Sequence, residues 1–72
     1  MKLTITMEEK YAKDFGTFLT DRNVEHTAYK DRYEMKITRF MFICNIISVK
    51  FESGLEIHIG QDQVVTYKVE TI

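Results

Sequence analysis

The side chains that could do chemistry in this chain are few: Cys44, His26, His58 and eleven carboxylates. A nucleophilic cysteine needs a pKa lowered by a nearby histidine, cation or helix N-terminus, and access to solvent. Cys44 stands between Ile43 and Asn45 in the most apolar part of the sequence, which reads as a buried, inert thiol. His26 falls on the apolar face of a hairpin over residues 24 to 38 and reads as a satisfied histidine at the core edge. His58 falls on a polar face near Ser48 and reads as exposed. The carboxylates are scattered, and several have structural roles in a helix cap or a cross-strand pair. No Gly-rich phosphate loop, HExxH or GxSxG occurs. The sequence thus offers no catalytic residue and no cofactor site, and the expectation is a protein that is not an enzyme.

A single cysteine excludes an internal disulfide, and two histidines without a CxxC argue against structural zinc. That matters because 72 residues make one small domain, 1–72. A chain of this size buries only roughly 60% of the surface its unfolded form exposes. Of the usual aids to such a core, self-association is the one left. Apolar residues at 44% and charged residues at 29% belong to a folded domain rather than a disordered tail. Ten basic against eleven acidic residues give no electrostatic reason to expect nucleic acid or an anionic membrane. The opening "MKLTITMEEK" is too short in apolar residues for a signal peptide or for a membrane span of about 20 residues. A cytoplasmic protein without a membrane partner is the expectation. Thirty residues are Phe, Tyr, Met, Ile, Asn or Lys, and eight are Gly, Ala, Arg or Pro. Codons of the first group are AT-rich, which leans toward an AT-rich bacterium, its phages or its mobile elements.

The elements follow from periodicity. "KLTIT", residues 2 to 6, alternates with Leu3 and Ile5 on one face, as a half-buried strand does. "TMEE" offers a capping box between Thr6 and Glu9. Met7, Tyr11, Phe15, Phe18 and Leu19 then fall on one face of a helix over roughly 7 to 22. Arg22 suits its negative end, and Asn23 can take the left-handed conformation that stops it. Gly16, one turn after Ala12, makes a small flank that either packs on the protein's own sheet or receives a partner.

Residues 24 to 38 read as a hairpin turning at "YKDR". Ala28 then faces Tyr33, Val24 faces Ile37, His26 faces Met35, and Glu25 faces Lys36 on the other face. A helix through Tyr29, Tyr33, Ile37, Phe40, Met41 and Cys44 is the competing reading; the charge-paired register favours the hairpin. A second hairpin, 47 to 59, has a three-residue loop at Glu52-Ser53-Gly54 with Gly54 left-handed. It pairs Phe51 with Leu55, Val49 with Ile57, Ile47 with Ile59 and Lys50 with Glu56. A last strand over 64 to 70 puts Val65, Tyr67 and Val69 on the core face. The sum is an α+β domain of β-α-β-β-β-β order, one helix packed on one face of a mostly antiparallel sheet.

"RFMFICNII", residues 39 to 47, resists that scheme. Its seven apolar residues among nine make it, as a strand, apolar on both faces. It is a helical turn or bulge plugging the core, a strand covered by a second copy, or a docking surface for another protein. The expectation is an interaction protein that contacts another protein, itself as a homodimer, or both. Contact is through Phe40, Met41, Phe42, Ile43 and Ile46, or through a sheet edge. An accessory or inhibitory role, such as anti-defence, fits that picture. The alternative is a small nucleic-acid-binding domain using the open sheet face, with Tyr29, Arg32, Lys36, Lys50 and Lys68 gathered there.

Overall fold

The computed structural model describes residues 1–71. The first strand, β1 (Lys2–Met7), alternates as its sequence does: Leu3, Ile5 and Met7 are fully buried, and Lys2, Thr4 and Thr6 are half-exposed. The helix α1 spans Glu9–Asp21 and buries Ala12, Phe15 and Leu19. Met7 therefore ends the strand rather than starting the helical face. The capping box does not form either, because Thr6 is committed to the strand. Glu8 is the N-cap, and no side chain caps the helix there. Its carbonyl accepts the N–H groups of Tyr11 (2.9 Å) and Ala12 (3.0 Å). Asn23 stops the helix in the left-handed region at φ 57°, as expected, and the Arg22 guanidinium bonds the Phe18 carbonyl at 3.2 Å.

Next come β2 (Thr27–Tyr29) and β3 (Arg32–Lys36), paired with Ala28 opposite Tyr33 in the expected register. The ladder stops at Thr27, so the expected pairs at Val24, Glu25 and His26 lie beyond it. Residues 39–47 are neither plug nor bulge. They form β4 (Arg39–Ile43), a two-residue turn at Cys44-Asn45, and the start of β5 (Ile46–Lys50). Both turn residues have positive φ, 49° and 64°, the backbone of a type I′ hairpin turn. In β6 (Glu56–Gly60), Ile57 meets Val49, Ile59 meets Ile47 and Glu56 meets Lys50, all as expected. Gly54 has φ 95° in the intervening loop. A short 3-10 turn over Gln61–Gln63 leads into β7 (Val64–Glu70).

The α+β class holds, with one helix and antiparallel strands, but the strands form two sheets rather than one. Six strands follow the helix rather than the four of that order: two from each hairpin, one from 39–43 and the last strand. The larger sheet has the order β2-β3-β1-β7 and the smaller β4-β5-β6. The chain passes between them at Ile37-Thr38: the Ile37 N–H still bonds Met1 in the first sheet, and the Thr38 N–H bonds Lys50 in the second. This crossing explains the parity problem of the sequence. Tyr33, Met35 and Ile37 point into the core from the larger sheet, whereas Phe40 and Phe42 share the face of buried Val49 and Ile47 in the smaller. Strict alternation that points inward from one layer points outward once the strand joins the opposite layer. Both sheets and α1 close on one core that includes Leu3, Ile5, Phe15, Leu19, Ile47 and Val49. No described helix is long and apolar enough to cross a membrane.

Candidate interaction surfaces

The alternation of β4 and β5 sorts the apolar residues of 40–46 onto two faces rather than one. Met41, Ile43 and Ile46 point away from the core on the outer face of the smaller sheet. There Met41 pairs with Ser48 and Ile43 with Ile46. Gly60 is the next neighbour of Ile46 across the sheet and brings no side chain to cover it. Ile43 is 53% exposed and Ile46 41% exposed, so both present apolar surface to solvent. Arg39, Glu56 and His58 stand around them and line the same shallow concavity.

Phe40 and Phe42 lie on the inner face, at the open edge of the same strand. Their rings stack with Tyr67 of β7 at 5.2 Å and 6.4 Å between centroids. Phe40 is half-buried by this arrangement, and Phe42 stays exposed. The two edge strands β4 and β7 thus meet through aromatic rings at a mouth of the core.

That mouth holds residues the sequence placed wrongly. Val65, Tyr67 and Val69 were expected to face the core, and all three are exposed. Tyr67 and Val69 do lie on the face of buried Ile5 and Leu3, their cross-strand partners. The cover runs out before it reaches them. A helix about 10 Å across shields about two strands spaced about 4.8 Å apart, and β7 is the edge of a four-stranded sheet. Val65 is the extra residue where the register shifts between Thr6 and Met7, a bulge that turns it further out. Counting strands against one helix was the available signal.

The titratable residues do not converge. Cys44 is exposed at the β4–β5 turn, not buried, because the hairpin tip carries it away from the core. His26 is half-buried, donates Nδ1–H to the Val24 carbonyl at 2.7 Å and leans on the Tyr33 ring, as a core-edge histidine should. His58 is exposed opposite Ser48, with Nε2 3.2 Å from Glu56. Among the described residues, no group of three His, Cys, Asp or Glu side chains could hold a metal ion. A cleft of about 520 Å³ opens beside the first hairpin, but its charged lining is partly self-paired, Lys2 with Glu34 at 3.3 Å.

The nucleic-acid set is divided. Tyr29, Arg32, Lys36 and Lys68 share the outer face of the larger sheet, where Arg32 sits over the Tyr29 ring. Lys50 lies on the other sheet, opposite Arg39 and Glu56. Glu34 and Glu70 are interspersed with the first four, and Glu70 pairs with Lys68 at 3.7 Å. The five therefore form no single basic surface.

The chain matches no protein-family model, no curated protein and no solved structure.

Proposed function

We propose that the chain is a non-enzymatic protein–protein interaction protein that contacts its partner through the β4–β5 hairpin. One observation supports this above others: Met41, Ile43 and Ile46 form an apolar centre on the outer face of the smaller sheet, ringed by Arg39, Glu56 and His58. An apolar centre within a polar rim is the build of surfaces that bury against another protein, and adjoining apolar side chains on a solvent face mark such sites. The partner that fits is a protein presenting an apolar side chain to the centre and polar groups to the rim. A protein of this kind acts by occupying a surface, which makes it an accessory or inhibitory protein. The AT-rich residue bias supports a phage, a mobile element or an AT-rich bacterium as its source, and an anti-defence inhibitor of a nucleic-acid enzyme fits that setting.

The test compares wild type with Ile43→Lys and Ile46→Lys in titrations against purified host nucleases and other nucleic-acid enzymes. Both substitutions sit on exposed side chains, so thermal unfolding should be nearly unchanged. Binding and inhibition by wild type, lost in both variants, support the reading. Turnover of a substrate that disappears in Cys44→Ala or His58→Ala would overturn it in favour of an enzyme.

A further inference from the structure

The free edge of β7 is a second surface, separate from the hairpin tip. β7 is seven residues long, contains no proline, and ends the larger sheet. A long edge of this kind is a template for pairing with another strand. The direction of its backbone groups follows from the ladder. The Ile37 N–H bonds the Met1 carbonyl at 2.9 Å, and the Met7 N–H bonds the Asp31 carbonyl at 2.8 Å. The odd-numbered residues of β1 therefore bond toward β3. Alternation turns Lys2, Thr4 and Thr6 toward β7, together with their partners Glu70, Lys68 and Thr66. Tyr67 and Val69 are left presenting N–H and C=O to the open edge.

We infer that this edge pairs antiparallel with β7 of a second copy, about a two-fold axis at Val69. In that register Val69 opposes Val69 of the second copy, and Tyr67 opposes its Thr71. Lys68 opposes Glu70 of the second copy, and Glu70 opposes its Lys68. Since Lys68 and Glu70 already lie 3.7 Å apart within one chain, the four charges alternate in sign across the seam. Both side chains are on the exposed outer face, while on the inner face Val69 meets Val69 and Tyr67 meets Thr71 of the second copy, which extends the cover over the mouth. Neighbouring registers are poorer. An axis at Lys68 sets that lysine against itself. An axis at Tyr67 runs the seam onto the bulge at Val65 and leaves both charges opposite uncharged residues. The edge is thus complementary to itself, which names the second copy as its occupant.

The experiment is sedimentation equilibrium of the full chain across a micromolar to millimolar range. Wild type should be a reversible dimer. Lys68→Glu and Glu70→Lys, each placing like charges opposite one another twice by symmetry, should weaken it by roughly tenfold or more. The double variant should restore it. Val69→Pro removes an N–H that serves only the open edge, so it should give a folded monomer; the charge variants keep the test decisive if it does not fold. A wild type that is monomeric throughout overturns the inference. So does a dimer indifferent to both charge reversals, or one dissolved by Ile43→Lys instead, which would move the seam to the hairpin. Partner binding at the hairpin, measured separately, is untouched by the Lys68, Glu70 and Val69 results; only a dimer dissolved by Ile43→Lys would bear on it.

Discussion

The hydroxyl of Tyr33 on β3 donates to the carbonyl oxygen of Ala12 and occupies the space a side chain at Gly16 would need. A Cβ at Gly16 would stand 2.8 Å from that hydroxyl oxygen but 3.4 Å from the nearest ring carbon. The small flank of the helix is therefore packed on the protein's own sheet. In an open helix, Gly16→Ala would stabilise by about 1 kcal/mol. Here the buried hydroxyl must shift, and we expect a net loss of about 1–2 kcal/mol. Tyr33→Phe should cost about 1 kcal/mol. Combined, the two should cost less than their sum, because removing the hydroxyl removes the clash. Urea unfolding of the four proteins measures the coupling. Simple additivity would show that the hydroxyl is not what excludes a side chain at 16.

The helix start makes a separate prediction. Glu8 has φ −57° and ψ 141° as N-cap, and its side chain bonds none of the free N–H groups of the first turn. Glu8→Ser supplies a short acceptor at that position and should stabilise by about 0.5–1 kcal/mol. Thr6→Val, which keeps a β-branched strand residue and removes only the hydroxyl, should change stability by less than about 0.5 kcal/mol. A loss above about 1 kcal/mol at Thr6 would restore the capping box that the structure replaces with a strand.

Local pattern carried much of this fold. The helix, the register of Ala28 against Tyr33 and the pairing of Val49 with Ile57 follow from periodicity and charge pairing between neighbours in sequence. What pattern could not carry is which layer a segment joins. Phe40 and Phe42 alternate with Met41 and Ile43 as any strand would. Only the crossing at Ile37-Thr38 decides that the phenylalanines face inward. Val65, Tyr67 and Val69 look like a core face by composition, yet exposure there depends on how far one helix reaches across four strands. The turn at Cys44-Asn45 was hidden because cysteine is an unusual residue at positive φ, whereas asparagine alone signals it weakly.

That turn is open to improvement. Cys44 at φ 49° bears the left-handed strain of an ordinary side chain, about 1–2 kcal/mol. Cys44→Asn keeps the turn and relieves part of that strain, so the melting temperature should rise by about 4 °C or more. Cys44→Val, β-branched at positive φ, should lower it by a similar amount. Differential scanning calorimetry separates the two. Equal melting temperatures for both variants would mean that the turn is not of the type I′ form.

Ile46 and Ile47 are neighbours in sequence with opposite roles, and substitution should separate them. Ile47 is 0% exposed against Phe42, Ile59 and the rest of the core, while Ile46 is 41% exposed beside Gly60. Ile47→Val should cost about 0.5–1.5 kcal/mol, and Ile47→Ala about 2–5 kcal/mol, enough to unfold much of so small a domain. Ile46→Ala should stay within about 0.5 kcal/mol of wild type. Binding reverses the order. Truncating Ile46 removes apolar area from the centre of the proposed contact and should weaken a partner by about tenfold, whereas Ile47→Val, which stays folded, should leave the affinity unchanged. An Ile46→Ala protein that loses stability as Ile47→Ala does would show that Ile46 is a core residue, and the hairpin would then have no apolar centre to offer a partner.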